Sequence, residues 1–231
     1  MRIKSSKIAL SAAALITTAL VLSGCSSSDS GDATAENGTS ETTVAAGSTT
    51  DAESSTTASG TLADGSAFTG ERTTLVTGTD PDAPVISVSL PAQWTHSQEG
   101  VSGSVTDILS SNQPEASGFT PNTTLTVEAQ GTATADEVLA GARDSLTTLN
   151  GWSEVKKIDL DIDGQKAIRV AGTWTPPELD VPIYAVMTVI AYQADASSPV
   201  YLVSFANQFT DTTNLAMSNQ VEEINTSIEF G

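Results

Sequence analysis

Residues 183–192, IYAVMTVIAY, and 200–206, VYLVSFA, are the most apolar stretches in the folded part of this 231-residue chain. In an extended chain, Ile183, Ala185, Met187 and Val189 fall on one side, and Tyr184, Val186, Ile190 and Tyr192 on the other. Strands apolar on both sides sit centrally in a sheet that is covered on both faces. Ser197-Ser198-Pro199 makes the turn between them, so the two pair antiparallel.

Working outward from that pair, Val155–Ile162 and Lys166–Trp174 form a hairpin around Asp163-Gly164. A three-residue loop, Ile162 to Gly164, would set Ile158 opposite Ile168. It would also gather Lys157, Asp159, Asp161 and Arg169 on one solvated face. Pro176-Pro177 and Pro182 separate this hairpin from the central strands. Thr123–Ala129 alternates, with Leu125, Val127 and Ala129 on one face and Thr124, Thr126 and Glu128 on the other, solvated one. Val85–Leu90 and, more weakly, Val101–Leu109 alternate as well. Thr134 with Glu137 is a capping box, opening a helix whose stripe is Val138, Ala142, Leu146 and Leu149, stopped by Asn150-Gly151. A last helix runs from Thr212 to Ile228 with Met217, Val221, Ile224 and Ile228 on one side. The expected fold is α+β: an antiparallel sheet of six or seven strands covered by two long helices.

The N-terminal quarter reads differently. Arg2, Lys4 and Lys7 precede an apolar run from Ile8 to Leu22, which ends in Leu22-Ser23-Gly24-Cys25. That is the pattern of a lipoprotein signal peptide over residues 1–24, with a lipobox whose Cys25 becomes the first mature residue and carries diacylglycerol and a further acyl chain such as palmitate. Residues 25–60 follow as a lipidated Cys and a Ser/Thr-rich acidic tether with six acids and no basic residue. Such a composition stays disordered and would span roughly 30–35 Å. Residues 61–231 are the length of one globular domain.

Charge and rare residues exclude several chemistries. The chain has nine basic and 28 acidic residues, net −19, with one Cys and one His. Without the signal the net charge is −22, and residues 61–231 alone carry six basic against 22 acidic residues. Nucleic acid is not expected as a partner. Neither an internal disulfide nor a Cys/His metal cage can form, and no cofactor is expected. Asp159-Leu-Asp161-Ile-Asp163-Gly164 opens like a calcium loop, but its twelfth position is Val170, where a bidentate Glu is needed. His96, in the polar stretch Thr95–Gly100, is the one imidazole available to a triad, and no Gly-x-Ser-x-Gly elbow accompanies it. It reads as a loop histidine, and no catalytic residue is assigned. Trp94, Trp152 and Trp174 each stand next to a turn and read first as core packing. Together with Tyr184 and Tyr192 they are also the candidate lining of a pocket for an acyl chain or sugar.

Several landmarks occur in a specific order: the lipobox, the tether, Pro91-Ala-Gln-Trp94, Gly118-Phe-Thr-Pro-Asn122 before Leu125-Thr-Val127, Leu149-Asn-Gly-Trp152, Asp163-Gly164, and Val200–Phe205 before the last helix. Over residues 81–230 the chain resembles the LpqN/LpqT-type lipoproteins of actinobacterial cell envelopes. The resemblance implies a PsbP-like fold and a lipoprotein at the outer, extracytoplasmic face of the cytoplasmic membrane of a mycolate-type envelope. It implies no catalytic residues. The expected function is a non-enzymatic binding or accessory module in lipid or glycolipid handling, with an envelope lipid, glycolipid or protein as partner. A docking scaffold for envelope transporters or enzymes is the second reading, and a carboxylate-based hydrolase the third. The extreme acidity and scarcity of lysine depart from what a partner contact through basic residues would need.

Overall fold

The apolar pair at residues 183–209 forms the centre of the molecule. In the computed structural model, residues 60–147, 151–175 and 181–231 are described. Among them the chain runs through β1 (Glu71–Leu75), β2 (Ile86–Leu90), β3 (Trp94–Ser97), β4 (Val105–Ser111), β5 (Asn122–Ala129) and α1 (Ala135–Thr147). It continues through β6 (Trp152–Ile162), β7 (Gln165–Trp174), β8 (Ile183–Tyr192), β9 (Tyr201–Phe209), α2 (Leu215–Thr226) and β10 (Glu229–Phe230). One antiparallel sheet has the order β3-β4-β5-β9-β8-β7-β6, and a second has the order β1-β2-β10. The expected single sheet is thus corrected to ten strands in two sheets among the described residues. β3 and β10 have four and two residues, too few to show alternation in sequence, and β1, ERTTL, is polar apart from Leu75. The helices, at 13 and 12 residues, are short rather than long.

Each helix covers one face of the large sheet. On one face, Val138, Leu139, Ala142 and Leu146 of α1 pack over Ile168, Val170, Met187, Val189 and Ala206. On the other, Met217, Val221 and Ile224 of α2, with Ile228 beyond it, join Ile190, Val203, Phe205 and the small sheet's Ile86 and Val88. Phe205 and Ile190 are fully buried, each worth roughly 2–3 kcal/mol of transfer free energy. The capping box forms as expected: Glu137 Oε2 accepts from both Thr134 N and Oγ1, which holds its carboxyl below the usual range. α2 starts later than expected because Asn214, not Thr212, caps it by accepting from Met217 N. β5 is also corrected. Thr124 and Thr126 share the α1 face with Ala206, to which Thr124 is paired, and are buried rather than solvated.

The β6–β7 hairpin shifts by one residue from the expected register. Asp163 and Gly164 have φ of 50° and 76°, so both turn residues are left-handed, the requirement of a two-residue type I′ turn. Ile162 then faces Gln165, Asp159 faces Ile168, and Ile158 faces Arg169. A one-residue slip moves every side chain to the opposite face. Asp159 and Asp161 therefore lie on the α1 face, and Arg169 lies on the α2 face, away from them.

A strap, residues 60–70, precedes β1. It folds back through the Thr61–Ala67 bridge and a bond from Phe68 N to Gly60 O. It touches α2 where Glu222 accepts from Ala63 N and Glu223 from Thr69 N and Gly70 N. The expected signal, Cys25 and tether, together with Leu149, Asn150 and the Pro176-Pro177 break, lie outside the described residues.

Candidate functional site

The five aromatic candidates are distributed rather than gathered. Trp94 opens β3 on the α2 face, where its Nε1 donates to Gln220 Oε1 of α2 at 2.8 Å. Trp152 and Trp174 face each other across β6 and β7. With strands about 4.8 Å apart, that places them on the order of 25 Å from Trp94. Trp152 packs against the α1 core and lies over Gly172, where a Cβ would come within 2.5 Å of the indole ring. Only glycine permits that approach. Tyr184 and Tyr192 share the α2 face but stand eight residues apart on β8, about 27 Å in an extended strand. Tyr184 meets Phe209 with ring centroids 5.2 Å apart, and Tyr192 stacks on Phe230 at 4.6 Å.

His96 is on β3 rather than in a loop, paired with Leu109. Its Nε2 lies 2.8 and 2.7 Å from the two carboxylate oxygens of Asp107. Asp107 is 1 % exposed and accepts in addition from Gln98 Nε2, Val76 N and Ile108 N. A carboxylate that fixes an imidazole is half of a triad. Among the described residues, however, no hydroxyl bonds the other ring nitrogen. The Val76 bond shows what the pair does: it joins the chain leaving β1 to β3 and β4.

The three aspartates of the calcium-like run likewise have separate partners. Asp159 pairs with Arg143 of α1. Asp161 accepts from Gly164 N, and Asp163 from Phe230 N. They close the hairpin and hold β10 and α1 to it.

Between α2 and the large sheet lies a polar network absent from the expectations. Asn225 Oδ1 accepts from Thr188 Oγ1 and Asn207 Nδ2, and Asn225 Nδ2 donates to Val221 O. Thr123 Oγ1 donates to Asn207 Oδ1. Thr188, Asn207 and Asn225 are essentially inaccessible to solvent, so each must be bonded to avoid a penalty of about 1–3 kcal/mol per group. The sequence signal is present in retrospect: Thr188 interrupts an apolar strand, and Asn225 lies in the apolar stripe of α2.

Arg169 stands at the end of this network. Its Nε donates to Thr188 Oγ1 at 2.9 Å and its Nη2 to the backbone oxygen of Asn225 at 3.2 Å. Burial pushes the guanidinium's pKa down, opposed by the charge of Glu222, although an arginine stays protonated in proteins. Around it on the α2 face are Lys156 and Ile158 of β6, Ala171 and Thr173 of β7, and Tyr184 and Val186 of β8. Ile158 is 39 % exposed, Lys156 is exposed, and Arg169, Thr173, Tyr184 and Val186 are half-buried. This strip beside α2 combines cationic, hydroxyl and apolar groups. Tyr184 is the one expected aromatic that borders it.

The geometry has relatives. Residues 59–230 match the family model described as probable lipoprotein LpqN. No curated protein matches the chain in sequence. Among solved structures, a crystal structure of LpqN involved in cell envelope biogenesis of Mycobacterium tuberculosis superposes with a TM-score of 0.57 at 15 % identity, over 69 % of this chain and 90 % of that one. The solution structure of a cyanobacterial PsbP, CyanoP from Synechocystis sp. PCC 6803, gives 0.42 at 12 % identity, over 67 % and 90 %.

Proposed function

The chain belongs to the LpqN family of probable lipoproteins, and from that membership we propose a membrane-anchored, non-enzymatic module of the cell envelope that binds or presents a lipid or glycolipid. Lipid attached at Cys25 holds it at the outer face of the cytoplasmic membrane, and the tether lifts the folded domain away. Two or more acyl chains on one residue are sufficient for durable anchoring. A mature charge of −22 adds no attraction to anionic headgroups.

The observation that carries the binding reading is the strip around Arg169. The side chains best suited to acid–base work, His96, Asp107 and Glu223, are engaged in holding elements together. The strip instead leaves cationic, hydroxyl and apolar groups at the surface on one rigid sheet face. Two measurements test the proposal. Palmitate labelling and membrane association should both be lost in Cys25→Ser; retention of the label would remove the anchor. Native mass spectrometry against acyl glycolipids and phospholipids should show a bound amphiphile, and a blank across both classes would remove the binding role.

A further inference from the structure

We propose that the strip on the α2 face is an anion subsite, in which Arg169 and Lys156 take a phosphate-type headgroup and Ile158, Val186 and Tyr184 take the apolar group attached to it. The inference rests on the binding role argued above and narrows its ligand from amphiphiles in general to anionic ones.

The strongest support comes from how cations are used in a domain rich in acids. Residues 61–231 hold 22 acids for six bases. Arg72 pairs with Glu229, Arg143 with Asp159 and Lys166 with Asp136. Among the described residues, Arg169, Lys156 and Lys157 form no ion pair, although the surplus of carboxylates makes a partner easy to provide. Lys157 faces Val170 on the α1 face, which leaves Arg169 and Lys156 together on the α2 face. The type I′ turn accounts for this: its register turns Arg169 away from Asp159 and Asp161 and leaves Ile158 opposite it. Lys156 faces Ala171, one diagonal step from Arg169, roughly 7–8 Å between α-carbons. Both side chains can reach one oxyanion from that spacing.

Arg169 is also oriented in advance. Two of its five N–H bonds are used, on Thr188 and Asn225, and these belong to a buried network that does not rotate freely. Nη1 has no protein acceptor among the described residues, and the side chain is half-buried rather than enclosed. A guanidinium fixed at one edge, with three N–H donors unused, keeps the fork that matches the bidentate geometry of phosphate oxygens. Glu222, whose charge acts on Arg169, is tied to Ala63 N of the strap. Next to the cations, Ile158, Val186 and Tyr184 supply the apolar surface that a free inorganic ion would leave unused.

The test uses the full chain carrying Cys25→Ser, so that attached lipid contributes nothing, titrated calorimetrically with hexyl phosphate, octyl glucoside and inorganic phosphate. Hexyl phosphate should bind on the order of tenfold tighter than octyl glucoside. Lys156→Gln should weaken it about three- to fivefold, and Glu222→Gln should tighten it. Arg169→Met should abolish it; since this variant also disturbs the Thr188–Asn225 network, the two surface variants keep the test decisive if it fails to fold. Inorganic phosphate binding as tightly as hexyl phosphate would confirm the anion subsite and assign it to a free ion rather than a lipid. Binding of the glucoside alone, or affinity for hexyl phosphate unchanged in Lys156→Gln, would overturn the subsite while leaving a lipid-binding role standing. Binding of none of the three would overturn both.

Discussion

Among the described residues Glu223 has no cationic partner, yet it is only 2 % exposed. Its Oε1 accepts from Thr69 N and Gly70 N at 2.7 Å and from Ser89 Oγ at 2.5 Å, and its Oε2 accepts from Thr69 Oγ1 at 3.1 Å. Four hydrogen-bond donors satisfy its oxygens in that buried position. Glu223→Ala leaves two backbone N–H groups and two hydroxyls without their acceptor, and should cost about 3 kcal/mol or more, read as a lower urea midpoint. A second carboxylate acts where solvent reaches it. Asp195, in the turn between β8 and β9, accepts from the hydroxyl and backbone N–H of Ser197 and the N–H of Ser198, which lowers its pKa from 3.8 to about 2. Because the folded value lies below the ordinary one, its contribution is complete above about pH 4 and is lost as pH falls toward 2. A side-chain NMR titration should place the midpoint near 2, and Ser197→Ala should raise it.

At the scale of elements, the β6–β7 turn decides what the neighbouring strands present. Gly164 has φ of 76°, and a β-branched residue there meets a left-handed penalty of about 1–2 kcal/mol. Gly164→Val should lower stability by at least that amount in chemical denaturation. Should the turn relax to three residues instead, Arg169 would exchange faces and its cross-strand contact with Ile158 would vanish from the NMR spectrum. The same turn marks the limit of what sequence can show. The central strands are legible because Val203, Phe205, Val189 and Ile190 leave no polar side, and both helices because their apolar stripes and the Thr134 cap have one reading. Register is not legible. Ile158 opposite Ile168 and Ile158 opposite Arg169 both preserve alternation, and only turn geometry separates them. Alternation also misleads for Thr124 and Thr126, polar side chains on a face that they share with Ala206 and that is covered rather than solvated. The small sheet escapes notice because its outer strands are short and polar, and the network of Thr188, Asn207 and Asn225 because single polar residues in apolar runs do not reveal their partners.

For the whole molecule, the two faces of the large sheet divide the work. α1 closes one face with an apolar core, held at its rim by Arg143–Asp159 and Lys166–Asp136. The other face carries α2, the small sheet, the polar network and the strip beside it. The strap belongs to this second face alone. Deleting residues 60–70 should therefore lower the unfolding midpoint, through the loss of three of the four donors to Glu223, while hydrogen exchange at β8 and β9 stays slow. A chain retaining its full midpoint after that deletion would show that the strap adds nothing to the fold.

The strap has one more consequence, mechanical in kind. Any tension that reaches the domain along its N-terminal chain arrives at Gly60 and meets the bonds of the strap in series. The small 61–67 fold-back opens first, a few bonds at a time. The load then falls on the donors clasped by Glu223, and after them on β1, which is an edge strand of the small sheet and can peel away from β2. None of these steps passes force through the seven-stranded sheet. Pulled from that side, the domain yields length before it yields structure, as a fuse does.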